Sequence, residues 1–257
     1  MATRDRAPVG APTWIDLMSA DTDRARSFYG ELFGWECQEP DPDFGGYANF
    51  TTDGVMVAGL MGKMEEALPD IWSVYIETAD AEATVATLKE KGGQVYAGPD
   101  PVGDLGVMVV AGDPTGAMVG FWESKQHTGF GVMNEAGAPC WFELRTDDLD
   151  GALAFYGDVA GWTTRAEPGE PGFRYEVAES ADGPLAGLMD ASGFEPAVAP
   201  HWGVILGVVD TDAAVAKAVA LGGSVLMPAQ DSPHGRFAGL ADPMGAAFNV
   251  VQVDASM

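Results

Sequence analysis

Short apolar-rich runs and helical spacings alternate along the chain in a fixed order. Residues 12 to 18 read as a strand. Over 21 to 34 the residues Ala25, Phe28, Tyr29 and Leu32 fall on one face of a helix. Residues 44 to 61 read as strands folded around the turn signal Thr52-Asp53-Gly54. The order then repeats: a strand at 71 to 77, a helix at 80 to 91 stopped by Gly92-Gly93, and three strands between 94 and 122. Asp21, Asp80 and Asp148, with Thr211 or Asp212, stand where a helix needs an N-cap acceptor. Each half of the chain therefore predicts a βαβββ module twice.

The two halves also match residue by residue. Pro12-Thr13-Trp14-Ile15-Asp16-Leu17 is echoed by Pro139-Cys140-Trp141-Phe142-Glu143-Leu144, and Phe28-Tyr29-Gly30 by Phe155-Tyr156-Gly157. Ala58-Gly59-Leu60-Met61 pairs with Ala186-Gly187-Leu188-Met189, Trp72 with Trp202, and Asp113-Pro114-Thr115-Gly116 with Asp242-Pro243-Met244-Gly245. Such a repeat marks an internal duplication. The boundaries it predicts are a first domain at 8–124, a glycine-containing linker at 125–138 and a second domain at 139–253.

The chain of 257 residues carries 39 acidic against 13 basic residues, a formal net charge of −26. That polyanion disfavours nucleic acid and anionic membranes as partners. With no long apolar run and no hydrophobic leader at Met1, a cytoplasmic protein is expected, as a monomer or weak homodimer. Two cysteines, Cys37 and Cys140, suggest no disulfide framework.

Four βαβββ modules, the helix motif Phe28-Tyr29-Gly30-Glu31-Leu32-Phe33-Gly34-Trp35 and the two Asp-Pro-x-Gly turns resemble the vicinal oxygen chelate superfamily. That superfamily includes glyoxalase I, bleomycin-resistance proteins and extradiol dioxygenases. The resemblance covers nearly the whole chain and is strongest to duplicated actinobacterial glyoxalase-like proteins. It implies an α+β fold of two tandem domains whose curved, mixed sheets form cups with the site inside.

The resemblance also implies a divalent metal held by His, Glu or Gln side chains on the first and last strands of paired modules. Alignment on the helix motif puts Trp14, Trp72, Trp141 and Trp202 at the first-strand positions, and Gly59, Gly120, Gly187 and Asn249 near the last-strand ones. Indole ligates no metal. The expectation is therefore no cofactor, with the indoles occupying the metal's volume. A shift of two residues would instead bring Asp16 and Glu143 to the ligand positions and leave a divalent metal open.

Asp16 and Glu143 follow Trp14 and Trp141 by two positions and should face the same interior. There each could act as a general base or hydrogen-bond acceptor, or, for Glu143, as the ion-pair partner of Arg145. Trp14, Trp72, Tyr75, Trp141 and Trp202 are the candidate ligand-binding aromatics, unless they are core residues. Tyr75 and Glu77 make the first cup the more polar of the two, against Val204, Leu206 and Val208 after Trp202. His234 with Arg236 is a candidate anion-facing pair at a cup mouth, or a plain surface loop. The partner expected from these features is a small organic molecule, bound or sequestered without metal. The alternative is a lyase, isomerase or hydroxylase working through an inward carboxylate. The Asp-Pro-x-Gly turns read as structural, since Asp, Pro and Gly are each what a turn requires.

Overall fold

The computed structural model describes residues 4–254 apart from 170, 171, 182 and 195. Each half forms one eight-stranded mixed sheet carrying two helices, as the α+β reading requires. The first half comprises β1 (Pro12–Ser19), α1 (Thr22–Phe33), β2 (Glu36–Cys37), β3 (Ala48–Thr52), β4 (Val55–Gly62), β5 (Ile71–Glu77), α2 (Ala81–Glu90), β6 (Gln94–Val102), β7 (Gly106–Gly112) and β8 (Met118–Ser124). The second comprises β9 (Pro139–Thr146), α3 (Leu149–Ala160), β10 (Thr163–Ala166), β11 (Tyr175–Ser180), β12 (Gly183–Asp190), β13 (His201–Val208), α4 (Thr211–Ala220), β14 (Ser224–Ser232), β15 (Gly235–Ala241) and β16 (Ala247–Gln252).

Strand order is β2-β3-β4-β1-β5-β8-β7-β6 in the first sheet and β10-β11-β12-β9-β13-β16-β15-β14 in the second. Consecutive modules therefore join through their opening strands, β1 against β5 and β9 against β13, both antiparallel. Each cup belongs to one half.

Among the described residues the four α-helices start at aspartates that accept a backbone N–H: Asp21, Asp80, Asp148 and Asp210. For α4 this corrects the expected Thr211 or Asp212. Asp210 is extended and accepts from the Ala213 N–H, whereas Thr211 already belongs to the helix. Helices α1 and α3 end at Gly34 and Gly161, both left-handed (φ 76° and 71°), a conformation that favours glycine.

The sheets meet through their helix-bearing faces, α1 lying against α4 and α2 against α3. At this junction the repeated turns do more than reverse the chain. Asp113 Oδ1 accepts from the backbone N–H of Thr115 and Ala117, while Oδ2 accepts from the Tyr156 hydroxyl of the other half at 3.0 Å. Asp242 does the same within its own turn, and its Oδ2 accepts from the Tyr29 hydroxyl at 3.2 Å. Both aspartates and both tyrosines are buried, so each half closes a polar network in the other's core.

Candidate functional sites: two homologous cups

Strand register decides which side chains enter the cups. Pairing of Trp14 with Tyr75 and of Asp16 with Ser73 places these four on the helix-free face of the first sheet. Leu17 pairs with Trp72, so Trp72 lies on the opposite face, beneath α1. Its indole N–H donates to the Tyr29 hydroxyl at 3.0 Å, and Trp202 donates to Tyr156 at 2.8 Å. The four tryptophans are therefore not equivalent. Trp14 and Trp141 face the cups; Trp72 and Trp202 extend the cross-half Asp–Tyr network and are buried in the core. The expected alignment was off by one residue at β5 and β13, and a one-residue slip moves a strand side chain to the other face.

The volume assigned to the indoles is instead filled by tyrosines. A Cβ at Gly59 would strike the Tyr47 hydroxyl, one at Gly187 the Tyr175 hydroxyl, and one at Gly120 the ring of Tyr75. The Trp14 indole N–H donates to Tyr47 Oη at 2.8 Å, and that hydroxyl donates to Asp16 at 3.4 Å. In the second half the Trp141 indole N–H donates to Tyr175 Oη at 2.9 Å, and Tyr175 bonds to Glu143. Each cup thus holds a tryptophan, a tyrosine and a carboxylate in series. Tyr47 and Tyr175 were missed from sequence, although they keep the repeat offset and lie shortly after the helix motif.

The first cup is filled. Asp16 is only 4% exposed and also receives the hydroxyls of Tyr75 and Ser73. Desolvation dominates those bonds and raises its carboxyl to about 6. Burial likewise raises the hydroxyls of Tyr47 and Tyr75 well above the usual phenol range. From the chain between β8 and β9, His127 packs edge-on against Trp14 (4.5 Å) and Trp122 (5.6 Å), and Phe130 stacks on Trp14 at 5.9 Å. His127 Nδ1 accepts from the Gly129 N–H, and burial lowers the imidazole to about 4, leaving it neutral. Glu77 is occupied by Arg6 (3.3 Å) and Ser124 (2.6 Å).

The second cup is the more exposed, and its polar groups come from β9, the start of β13 and β16 rather than from the positions of Tyr75 and Glu77. Register puts Arg145 opposite His201, Glu143 opposite Gly203 and Trp141 opposite Ile205, with Asn249 beside Ile205. Where the first cup has Met18, Ile71, Ser73 and Gly120, the second has Arg145, His201, Gly203 and Asn249. Trp141, Tyr175, Arg145, His201 and Asn249 are all partly exposed. Glu143 is buried and accepts from Arg145 Nε at 3.0 Å. A Cβ at Gly203 would make only ordinary contacts, 3.5 Å to Asn249 Nδ2 and 3.7 Å to the Glu143 carbonyl. Phe173, 43% exposed, stacks on Tyr175 at 6.0 Å and prolongs the aromatic wall to the rim.

The two members of the expected anion-facing pair part company: Arg236 is held by Asp212 (2.7 Å) and Asp231 (3.0 Å) beside α4, while His234 is exposed in the β14–β15 turn, on the side of Glu167 in the β10–β11 connection that also carries Phe173. A separate cleft of about 300 Å³, lined by Leu32, Phe33, Gly137, Val208, Ala213 and Lys217, lies at the junction of the halves.

The donors do not fit a resident divalent metal. Among the described residues no three His, Cys, Asp or Glu side chains come together. The second cup offers the Glu143 carboxylate and the first offers Asp16, its Glu77 being held by Arg6 and Ser124, and in three of four last-strand positions a tyrosine covers a glycine.

Family models match both halves. Residues 12–121 match the Glyoxalase/Bleomycin resistance protein/Dioxygenase superfamily, and residues 141–251 match the Glyoxalase-like domain. The chain belongs to the glyoxalase/bleomycin resistance/dioxygenase superfamily. It is 40% identical over 98% of both chains to a Mycobacterium tuberculosis protein named "Putative glyoxylase CFP32". It is 39% identical to "Anthracycline biosynthesis protein DauV" of Streptomyces sp. (strain C5), covering 95% of this chain and 94% of that one. Solved structures of the same fold include the Mn(II)-bound glyoxalase from Novosphingobium aromaticivorans (TM-score 0.65, 15% identity, 99% of this chain and 86% of that one). The 2,3-dioxygenase LapB from Pseudomonas sp. KL28 is similar (TM-score 0.65, 13% identity, 96% and 93%). Among the described residues no helix is long and apolar enough to cross a membrane.

Proposed function

We propose that this superfamily member binds a small planar aromatic molecule in the second cup, without a resident metal. The observation that carries the reading is the partly exposed cup face at Gly203, bounded by Glu143 and Asn249 and walled by Trp141, Tyr175 and Phe173. Aromatic walls with a few convergent polar groups are the usual make-up of a small-molecule site. A relative is named for the biosynthesis of anthracyclines, which are planar polycyclic aromatics, and that chemistry suits the wall. The closed first cup then serves as the scaffold that completes the fold.

Gly203→Val tests the reading, since its Cβ is tolerated while its branches enter the cup. Binding of 9,10-anthraquinone, followed by quenching of tryptophan fluorescence, should weaken at least ten-fold with the melting temperature little changed. Equal binding by wild type and variant removes the second cup as the site.

A second reading rests on Asp16, whose carboxyl near 6 suits a general base and would make the first cup the centre of a lyase or isomerase. It expects turnover of the methylglyoxal–glutathione adduct with an acidic limb near pH 6 that is lost in Asp16→Asn. Equal rates in the two proteins discard it.

A further inference from the structure

Three arginines of this chain are each committed to two carboxylates. Arg165 pairs with Glu167 and Glu179, Arg236 with Asp212 and Asp231, and Arg174 with Asp150 and Asp190. Arg145 differs. Only its Nε is engaged, on Glu143 Oε1 at 3.0 Å, and among the described residues neither Nη has a hydrogen-bond partner. The side chain is 22% exposed on the cup face, above a Glu143 side chain that is 9% exposed.

Its neighbours are committed in part. His201, opposite Arg145, bonds through Nδ1 to the Ala199 carbonyl at 2.8 Å, and since a carbonyl only accepts, that nitrogen carries the hydrogen. The Tyr175 hydroxyl is held between Trp141 and Glu143. The cup floor therefore presents a carboxylate acceptor and guanidinium donors side by side. Their charges cancel locally, and the chain around them carries −26, so an anionic guest is disfavoured. A neutral guest that offers one hydroxyl and one carbonyl on the same edge satisfies both groups.

We propose that the Glu143–Arg145 pair reads a hydroxyl next to a carbonyl on the edge of the bound aromatic. The hydroxyl gives up its internal bond to the neighbouring carbonyl and donates to the Glu143 carboxylate instead, while an Arg145 Nη–H replaces it on the carbonyl oxygen. The guest class is thus a neutral hydroxy-ketone or hydroxyquinone with a flat ring system. This inference rests on the second-cup reading above and assigns the pair a specificity role within it.

The test compares 1-hydroxyanthraquinone with 9,10-anthraquinone, which keeps the ring and carbonyls but lacks the hydroxyl. Wild type should prefer the hydroxylated probe at least ten-fold, as expected of a hydrogen bond to a charged group. Glu143→Gln should cut that preference to about two-fold or less, and Arg145→Met should likewise abolish the preference of wild type for 1-hydroxyanthraquinone over 1-hydroxyanthracene, which keeps the hydroxyl and lacks the carbonyls. The ratio between probes reports recognition, and a merely structural role would weaken both probes alike. Equal affinities in wild type, or a preference that survives both substitutions, overturns the inference while leaving the cup as the site. If Gly203→Val fails to weaken either probe, the second-cup reading falls and takes this inference with it.

Discussion

Asp16 and Glu143 occupy the same position on homologous strands yet lie in opposite settings. Asp16 sits beneath Tyr47 and Tyr75, behind the Trp14, His127 and Trp122 cluster, and is sealed from water. Glu143 keeps the tryptophan and tyrosine of that arrangement but faces Gly203 and shares its charge with Arg145. Two substitutions account for much of the difference. Tyr75 becomes Ile205, and Gly120, whose bare Cα accommodates the Tyr75 ring, becomes Asn249. The backbone supplies the same cup twice, and the ring laid across one glycine decides which copy is filled.

The largest effect is expected from exchanging that pair of positions. Gly120→Asn drives its Cβ into the Tyr75 ring and should cost about 3 kcal/mol by chemical denaturation, the range of an overpacked core. Its reciprocal, Asn249→Gly, removes an amide with no hydrogen bond among the described residues and should cost less than about 1 kcal/mol, chiefly in strand propensity. Comparable losses in both variants would mean that the cups are equally packed.

A smaller effect separates the carboxylates by pH. The folded pKa of Asp16, raised by burial to about 6, lies above the unfolded value of about 3.9. Its protonated form therefore stabilises the fold fully below about pH 4, and that contribution is lost as pH rises through 6. Asp16→Asn should consequently gain about 1–3 kcal/mol on wild type between pH 4 and pH 7.5. A gain that does not change with pH would show that Asp16 is hydrated and the first cup open.

Much of this was legible in the chain. The duplication, the βαβββ order and three helix caps follow from motifs whose meaning is local: an aspartate before a helix, a glycine after it, a turn after a strand. The inward carboxylates were legible too, because they sit two residues from a repeated tryptophan. Trp72 and Trp202 were misplaced because the sequence pattern does not disclose strand register, and one residue of slip reverses the face. Tyr47 and Tyr175 went unnoticed because their role depends on the glycines opposite, Gly59 and Gly187, on a neighbouring strand.

By itself, then, the sequence determined the repeated modules, their family and the acidic, aromatic character of the surfaces they build. Only the tertiary structure decided that modules pair within a half, that each half's Asp-Pro-x-Gly turn accepts a tyrosine hydroxyl from the other, and that one cup is closed while its twin is open. The physical reason is that capping and turn formation are set by a few adjacent residues, whereas cavity volume is set by side chains from four strands and a connecting segment meeting in space.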